Sequence, residues 1–219
     1  MNLRQSLKES DLERIKTAVK NAEEKISGEI VPVIVDRSGD YTIALYKGSL
    51  IGASLTFITV VVLDRFVIKD AVNTLFYDPV FILLVVILGG VLGAILPYFS
   101  DSVKRMLVAR RYQDLVTRQT AENAFLEEEV FNTRQRTGIM IFVSFFEHEV
   151  IVMADKGISK IVDQKQWDNI VQNIIAEIKN GKIVEGLEKG ITQCGEILLE
   201  KGFQKRIDDI NELRDDLRV

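Results

Sequence analysis

The sequence predicts an α/β domain with a small mixed sheet, interrupted by a hairpin of two membrane-spanning helices. Three observations support this fold class. Residues 48–63 and 79–100 contain no Asp, Glu, Lys or Arg. An amphipathic helical segment and a β-branched segment precede them, and further strand and helix segments follow. Because one short strand is not stable alone, the strand before the hairpin must pair with strands after it.

The composition argues against a nucleic-acid-binding protein and against an intramolecular disulfide. The 219-residue chain has 47% hydrophobic residues, 27% charged residues and a net charge of -4. A general nucleic-acid binder would show a basic excess, so we expect no nucleic-acid partner. Cys194 is the only cysteine, so no intramolecular disulfide can form, which fits a reducing compartment.

The first soluble segment predicts a helix followed by a strand. Residues 10–27 carry apolar side chains at helical spacing, with Ser10 as N-cap and Glu13 as its capping-box partner. Gly28 is expected to end the helix. The stretch "EIVPVIVD", residues 29–36, is then predicted to form a strand, in which Pro32 indicates an edge strand or a bulge.

The two apolar segments are predicted to span a bilayer at about residues 44–63 and 79–99. The second has about the 20 residues that a helix needs, and the first reaches that length if Lys47 extends to the interface. The alternative is a buried helical hairpin in a soluble core. Glycines suited to close packing in lipid occur at positions 48, 52, 89, 90 and 93. Aromatic residues near the ends would form an interfacial belt: Tyr46, Phe76, Tyr77, Tyr98 and Phe99.

The flanking charges predict the orientation of the hairpin. Basic residues follow the second segment: Lys104, Arg105, Arg110, Arg111 and Arg118. The connecting loop has only Arg65 and Lys69, so both termini are expected in the cytoplasm and residues 64–78 outside. The stretch "SVKRMLVARRYQ" would contact anionic headgroups or serve only as a topology signal. The spans contain no ionisable residue that would mark an ion path, which argues against a transporter.

The second half of the chain predicts a helix, two strands and two further helices. A helix over 111–131 is expected, either separate from or continuous with the preceding basic segment. The stretches "GIMIFVSFF" and "EVIVMAD" are strands joined by a tight turn, the first parallel to the strand at 29–36 and the second antiparallel. Two amphipathic helices follow Gln166 and Lys182, and Cys194 belongs to the apolar stripe of the second. Residues 204–219 are expected to form a charged helix.

Two polar clusters are candidate sites. Glu147-His148-Glu149 lies on the predicted turn, and the sequence has no second histidine, HExxH or CxxC, so a solvated turn is favoured over a zinc site. No phosphate-binding glycine loop or nucleophile elbow is present. Glu29 and Asp155 are expected at the opposite end of the sheet. Asp155-Lys156-Gly157 is either a strand-to-helix turn capped by Asp or part of a site.

The paired basic residues near this end have two interpretations. Arg134 and Arg136 either form ion pairs with the acidic stretch 127–129 or bind an anion.

The amino-acid sequences of the soluble segments resemble those of the TPM domain family. The resemblance rests on "LERIKTAVKNAEEKISGEIVPVIV", on "TRQRTGIMIFVSFFEHEVIVMADKGI", on "WDNIV" and on "GKIVEGLEKGITQCGEIL". It covers most of the chain outside residues 37–110 and is closest to the bacterial membrane branch, in which a two-span hairpin interrupts the domain. It implies an α/β/α sandwich, a location in the bacterial inner membrane, a phosphatase label and, for some members, calcium binding by acidic side chains.

The resemblance leaves two functional hypotheses. One is a membrane-anchored accessory or interaction module with a membrane-protein or cytosolic protein partner. The other is a weak phosphatase, either dependent on calcium or not, in which Glu29 and Asp155 would be the metal ligands. The expected organisation is a first part of the domain at 1–38, the hairpin at 39–100, the second part at 101–203 and the tail at 204–219.

Overall fold

The computed structural model describes residues 7–67, 78–205 and 211–218. The chain divides into two compact units, Met1–Ser38 with Asp114–Val219, and Gly39–Gln113. Lys69, Phe76 and Tyr77, which the sequence analysis used, lie outside the described residues. The elements, in chain order, are α1 Glu9–Glu23, β1 Glu29–Val35, α2 Ile43–Val62, α3 Pro79–Phe99, α4 Asp101–Leu107, α5 Arg110–Glu127, β2 Gly138–Ser144, β3 Glu149–Ala154, α6 Lys156–Ser159, α7 Gln164–Lys179 and α8 Ile183–Glu200.

The first unit is built on a three-stranded mixed sheet in the order β1-β2-β3. β1 and β2 are parallel, with Glu29 opposite Gly138 and Val35 opposite Ser144. β2 and β3 are antiparallel, with Ser144 opposite Glu149. The predicted pairing across the hairpin is therefore confirmed.

Helices cover both faces of this sheet. One face packs against α1, α7 and α8, and its strand residues are Ile30, Ile34, Ile139, Ile141, Val143 and Val150. The other face packs against the C-terminal part of α5, and its fully or nearly buried strand residues are Val31, Val33, Met140 and Phe142. Alternate side chains of a strand point to opposite faces, and both faces are covered, which explains why β1 is apolar after Glu29 and β2 is apolar before Ser144. The predicted α/β/α sandwich is confirmed.

The start of α1 differs from the prediction. Lys8, not Ser10, is the N-cap residue, and the Asp11 carboxylate accepts the Lys8 backbone N–H at 3.0 Å. The helix ends at Glu23, five residues before Gly28. After Glu23 the chain turns, and Ile26 pairs with Gln204 in an isolated bridge.

The C-terminal tail is also different. The helix expected over 204–219 is not found in the described residues 211–218. Instead Arg218 forms a parallel bridge with Val33: its N–H donates to the Pro32 carbonyl at 3.0 Å, and its carbonyl accepts the Ile34 N–H at 2.8 Å. An edge strand presents unpaired backbone groups, and this pairing satisfies some of them on β1.

In the second unit, α2 and α3 form a closely packed antiparallel pair. A π-helical turn, Leu63–Val67, follows α2, and Asp78 caps α3 by accepting the Val80 N–H at 2.8 Å. A Cβ at Gly52 would lie 2.3 Å from the Gly89 carbonyl oxygen. One at Gly93 would lie 2.3 Å from the Gly48 carbonyl oxygen. These glycines therefore permit direct backbone contact between the two helices, as the sequence analysis expected.

The basic segment after α3 forms a helix of its own. α4 begins directly after Ser100 and ends at Leu107, and α5 begins at Arg110. Val108 has extended backbone dihedral angles (φ -92°, ψ 130°), so the two helices are not continuous.

Candidate functional site

Glu29 and Asp155 lie at the same end of the sheet, as predicted. Glu29 begins β1 opposite Gly138, and the Gly138 carbonyl accepts the Asp155 N–H at 2.9 Å. Both carboxylates are buried, with exposed fractions of 8% and 5% for the two residues. A buried carboxylate needs hydrogen-bond or ionic partners, and the partners decide what it can do.

The Glu29 carboxylate holds the C-terminal tail. It accepts the backbone N–H groups of Glu212 at 3.1 Å and Leu213 at 3.4 Å. A carboxylate that accepts backbone N–H groups is stabilised in its ionised form. The described contacts of Glu29 therefore support a structural role in fixing residues 211–218 against the domain.

The Asp155 carboxylate caps α6 and pairs with Arg136. It accepts the Lys156 N–H at 2.6 Å, and the Arg136 guanidinium lies 2.6 Å away through Nε and 3.1 Å away through a terminal nitrogen. The guanidinium also lies 5.5 Å from the centroid of the Phe131 ring. Among the described contacts, Arg136 pairs with Asp155 and not with the acidic stretch 127–129, which was one of its two expected roles.

Arg134 likewise pairs outside the stretch 127–129. Its backbone N–H donates to the Glu212 carboxylate at 2.9 Å, and its Nε lies 3.5 Å from the other carboxylate oxygen. Its partner, Glu212, belongs to the C-terminal tail, which was predicted from the sequence to form a helix.

The described residues do not form a ready calcium site around Glu29 and Asp155. No group of three or more His, Cys, Asp or Glu side chains in the described ranges is arranged to hold a metal ion. The two carboxylates are directed to different cationic or N–H partners, whereas calcium takes six to eight oxygen ligands. This geometry does not support a shared site, and the calcium hypothesis stays a prediction for a binding experiment.

Glu29 belongs to a cluster of three carboxyl groups that was not identified from the sequence. Glu23, at the end of α1, and Asp215, in the tail, line a small cavity of about 130 Å³ together with Glu29. Glu23 accepts the Ile30 N–H at 2.8 Å, and Asp215 accepts the Asn211 amide at 2.5 Å. Glu23 follows Ile15, Val19 and Ala22 on the buried face of α1, so helical spacing was the signal that could have identified it.

Burial and like charge keep Glu23 protonated. The pKa of Glu23 is raised from 4.5 to about 9, mainly by loss of hydration and then by the negative charge of Glu29, against the opposing hydrogen bond from Ile30. A protonated Glu23 can donate a hydrogen bond to Asp215, which an ionised one cannot. The three groups therefore coexist in a buried pocket because one of them is neutral.

The turn at His148 is structural, as favoured from the sequence. His148 is exposed, has a positive φ of 56°, and donates its backbone N–H to the Phe145 carbonyl at 3.2 Å. Glu147 is fully buried, a feature that the sequence analysis did not anticipate. Its carboxylate accepts the Ser38 N–H at 2.9 Å and the Ser144 hydroxyl, and the Ser38 hydroxyl donates to Ser144 at 2.9 Å. This network fixes the residue at which the chain leaves the first unit.

Cys194 is a packing residue. It is fully buried in the core on α8, and burial raises the pKa of its thiol to about 12. Because the thiolate is the nucleophilic form, this thiol is inert at neutral pH. The prediction that Cys194 packs in the core is confirmed.

The apolar hairpin is the other candidate functional element. Among the residues that the structure describes, two helices are long and apolar enough to cross a membrane, Ile43–Phe66 and Pro79–Phe99, with mean hydropathies of 1.6 and 2.8. Their large apolar side chains are exposed, among them Leu50, Leu55, Phe57, Leu83, Leu88 and Leu96. An extended exposed apolar surface marks contact with a protein or a membrane.

The fold and these contacts define an α/β/α domain with an apolar helical insertion. Residues 104–197 match the model of the TPM domain. This match agrees with the resemblance that the sequence of this segment predicted. Comparison with curated proteins gives no match.

A solved structure shares the fold. The chain is similar to the NMR structure of the BA42 protein from the psychrophilic bacterium Bizionia argentinensis, with 18% identity and a TM-score of 0.57. The similarity covers 97% of this chain and 94% of that chain. At this identity the likeness concerns the fold, and a fold alone does not assign an activity.

Proposed function

We propose that this chain is an integral membrane protein whose hairpin anchors the TPM domain to the bilayer, where the domain acts as an accessory or interaction module. The observation that carries the proposal is the exposure of the apolar hairpin. In each helix only 6% of the most apolar 18-residue window is buried within the protein. In water such a surface would be costly, at about 25 cal/mol per Å² of apolar area.

Two soluble explanations of apolar helices fit these observations less well. The core helix of a soluble protein is mostly buried, unlike α2 and α3. A secretory signal segment lies near the N-terminus of a chain. Here α1 and β1, which belong to the folded first unit, precede α2.

The charges around the hairpin support a topology with both termini in the cytoplasm, in the inner membrane of a bacterium. Four basic residues occur between 101 and 112, directly after α3. Arg65 is the cationic residue of the π-helical turn after α2. The positive-inside rule therefore places the TPM domain on the cytoplasmic side.

An accessory role is supported by the partners of the buried ionisable groups. Glu29 binds the tail, Asp155 binds Arg136, and Glu147 binds Ser38 and Ser144. These contacts support a structural role for the three groups. We propose that the exposed helices of the domain contact a membrane or cytosolic protein, and that the hairpin holds the domain near that partner.

Alkaline extraction of membranes tests the anchor. The full-length chain is expected to stay in the membrane pellet after alkaline carbonate treatment and to dissolve only in detergent. A double variant, Leu55→Arg with Leu88→Arg, places charges on both exposed apolar faces and is expected to reduce membrane insertion, because each costs about 3 kcal/mol at a span centre. Leu55→Ala with Leu88→Ala is the matched control. Release of the unmodified chain by carbonate would contradict the proposal.

A further inference from the structure

The second unit carries a surface that combines cationic and apolar side chains, which we call the elbow surface: Phe99, Lys104, Arg105, Met106, Arg110 and Arg111. It lies where α3 ends and the chain turns through α4 into α5. Phe99 and Met106 are 80% and 78% exposed. Residues 101–112 contain four basic side chains and one acidic side chain, Asp101, although the whole chain has a net charge of -4.

The elbow is held in place by specific hydrogen bonds within its own unit. The buried Gln113 amide donates to the carbonyls of Arg105 at 2.9 Å and Val108 at 3.0 Å, which fixes the turn between α4 and α5. The Lys47 ammonium group, on α2, donates to the Leu107 carbonyl at 3.0 Å. These contacts attach α4 to the beginning of the hairpin, so the elbow surface has a defined conformation.

The contact of Lys47 has a further consequence. Lys47 was expected to extend to the interface, and its ammonium group interacts with the C-terminal end of α4. Lys47 thus lies beside the four basic residues of the elbow surface.

We infer that the elbow surface binds anionic phospholipid headgroups at the cytoplasmic face of the bilayer. The inference rests on the proposed membrane anchor, since it requires α3 to end at the interface. Arginine and lysine side chains pair with headgroup phosphates, and exposed aromatic and methionine side chains enter the boundary between headgroups and acyl chains. The chemistry of the surface and its continuity with the spans both favour a lipid over a soluble ligand.

Arg118 shows which basic residues belong to this surface. It lies in the first unit, and its guanidinium pairs with Glu122 one turn along α5 at 3.1 Å. Because it lies outside the second unit, we do not include it in the elbow surface. Each basic residue that lies near an anionic membrane contributes about a fivefold preference for it.

Lipid capture by the full-length protein tests this inference. The protein is reconstituted in equimolar phosphatidylcholine and phosphatidylglycerol, extracted in mild detergent, and its retained lipids are quantified by mass spectrometry. We expect phosphatidylglycerol to be enriched over its bulk share. The variant K104Q/R105Q/R110Q/R111Q is expected to lower that enrichment at least about fivefold. The control K160Q/K165Q/K179Q/K182Q changes the net charge equally, at exposed positions of the first unit, and is expected to keep it.

A milder variant and a phosphate competition distinguish a wrong lipid inference from a wrong membrane anchor. The milder variant R110Q/R111Q retains Lys104 and Arg105 as orientation signals and is expected to show a partial loss. Equal enrichment in the quadruple variant, or displacement of the lipid by inorganic phosphate, would overturn the inference. If carbonate releases the unmodified chain, the membrane anchor itself is wrong. If the chain remains in the membrane without preferring phosphatidylglycerol, only the elbow inference is wrong.

Discussion

At the scale of single residues, Glu23 makes the stability of the domain depend on pH. Its pKa is raised from 4.5 to about 9, so the folded state retains a proton that the unfolded state releases. The stabilising contribution is full below pH 4.5 and is lost as the pH rises toward 9. We expect the Tm of the purified protein in detergent to fall across this range.

Glu23→Gln tests the origin of this dependence. The amide keeps an acceptor for the Ile30 N–H, can donate to Asp215 and does not ionise. We expect a higher Tm than the unmodified protein at alkaline pH, by several degrees, since about 1 kcal/mol corresponds to about 2–4 °C for a chain of this size. Glu24→Gln, an exposed neighbour, is the control and should leave the profile unchanged. An unchanged profile in Glu23→Gln would show that Glu23 is ionised in the fold.

Asp155 provides a second test at this scale. Asp155→Asn removes the ion pair with Arg136 and weakens the cap of α6, and we expect a loss of about 1–3 kcal/mol in the free energy of unfolding. The same variant tests the calcium hypothesis. A calcium-specific rise in the Tm of the unmodified protein that disappears in Asp155→Asn would support a metal site that the present contacts do not favour.

At the scale of elements, the tail acts as an additional edge segment on β1. Arg218 is buried, and its Nε lies 2.7 Å from the Glu128 carboxylate, whereas Arg214 is 71% exposed and 3.8 Å from the same carboxylate. We expect Arg218→Ala to cost about 1–3 kcal/mol and to increase hydrogen exchange at the Ile34 amide, which donates to the Arg218 carbonyl. Arg214→Ala is the matched control with a small expected effect. Equal effects of the two substitutions would mean that the tail is not held by this pair.

The α2–α3 hairpin depends on glycine at its contact face. In Gly52→Ala the new methyl group would meet the Gly89 carbonyl, so the helices must separate, at a cost of about 1–3 kcal/mol. In Gly90→Ala the nearest atom is the Ser49 hydroxyl at 3.3 Å, which can rotate away. Unfolding of the reconstituted protein by increasing fractions of denaturing detergent compares the two variants. Stability that is the same in both would contradict the close packing described for this pair.

The sequence predicted elements whose signals are local. β2 is a continuous apolar run, and the stripe on α8 that includes Cys194 has helical spacing, so both were identified correctly. The partners of Arg136, Arg134 and Glu147 depend on contacts between distant segments, which no local pattern specifies. The tail shows the same limit, because its charged composition suits an exposed helix while its conformation is decided by the open edge of β1.

At the scale of the whole molecule, one α/β domain is encoded in two segments with a helical hairpin between them. The parallel pairing of β1 with β2 requires both segments to lie on the same side of a membrane, and two spans satisfy that requirement. The network of Ser38, Ser144 and Glu147 lies at the sheet end from which the chain leaves for the hairpin. The central claim is therefore that the hairpin crosses the bilayer and leaves the domain in the cytoplasm.

Cysteine accessibility in intact cells tests that claim most directly. In a Cys194→Ala background, single cysteines replace Arg65, in the turn after α2, and Lys165, an exposed residue on α7. We predict that a membrane-impermeant maleimide labels the cysteine at position 65 in intact cells and the cysteine at position 165 only after lysis. Labelling of position 165 in intact cells, or of neither position before lysis and both after it, would contradict the proposed topology.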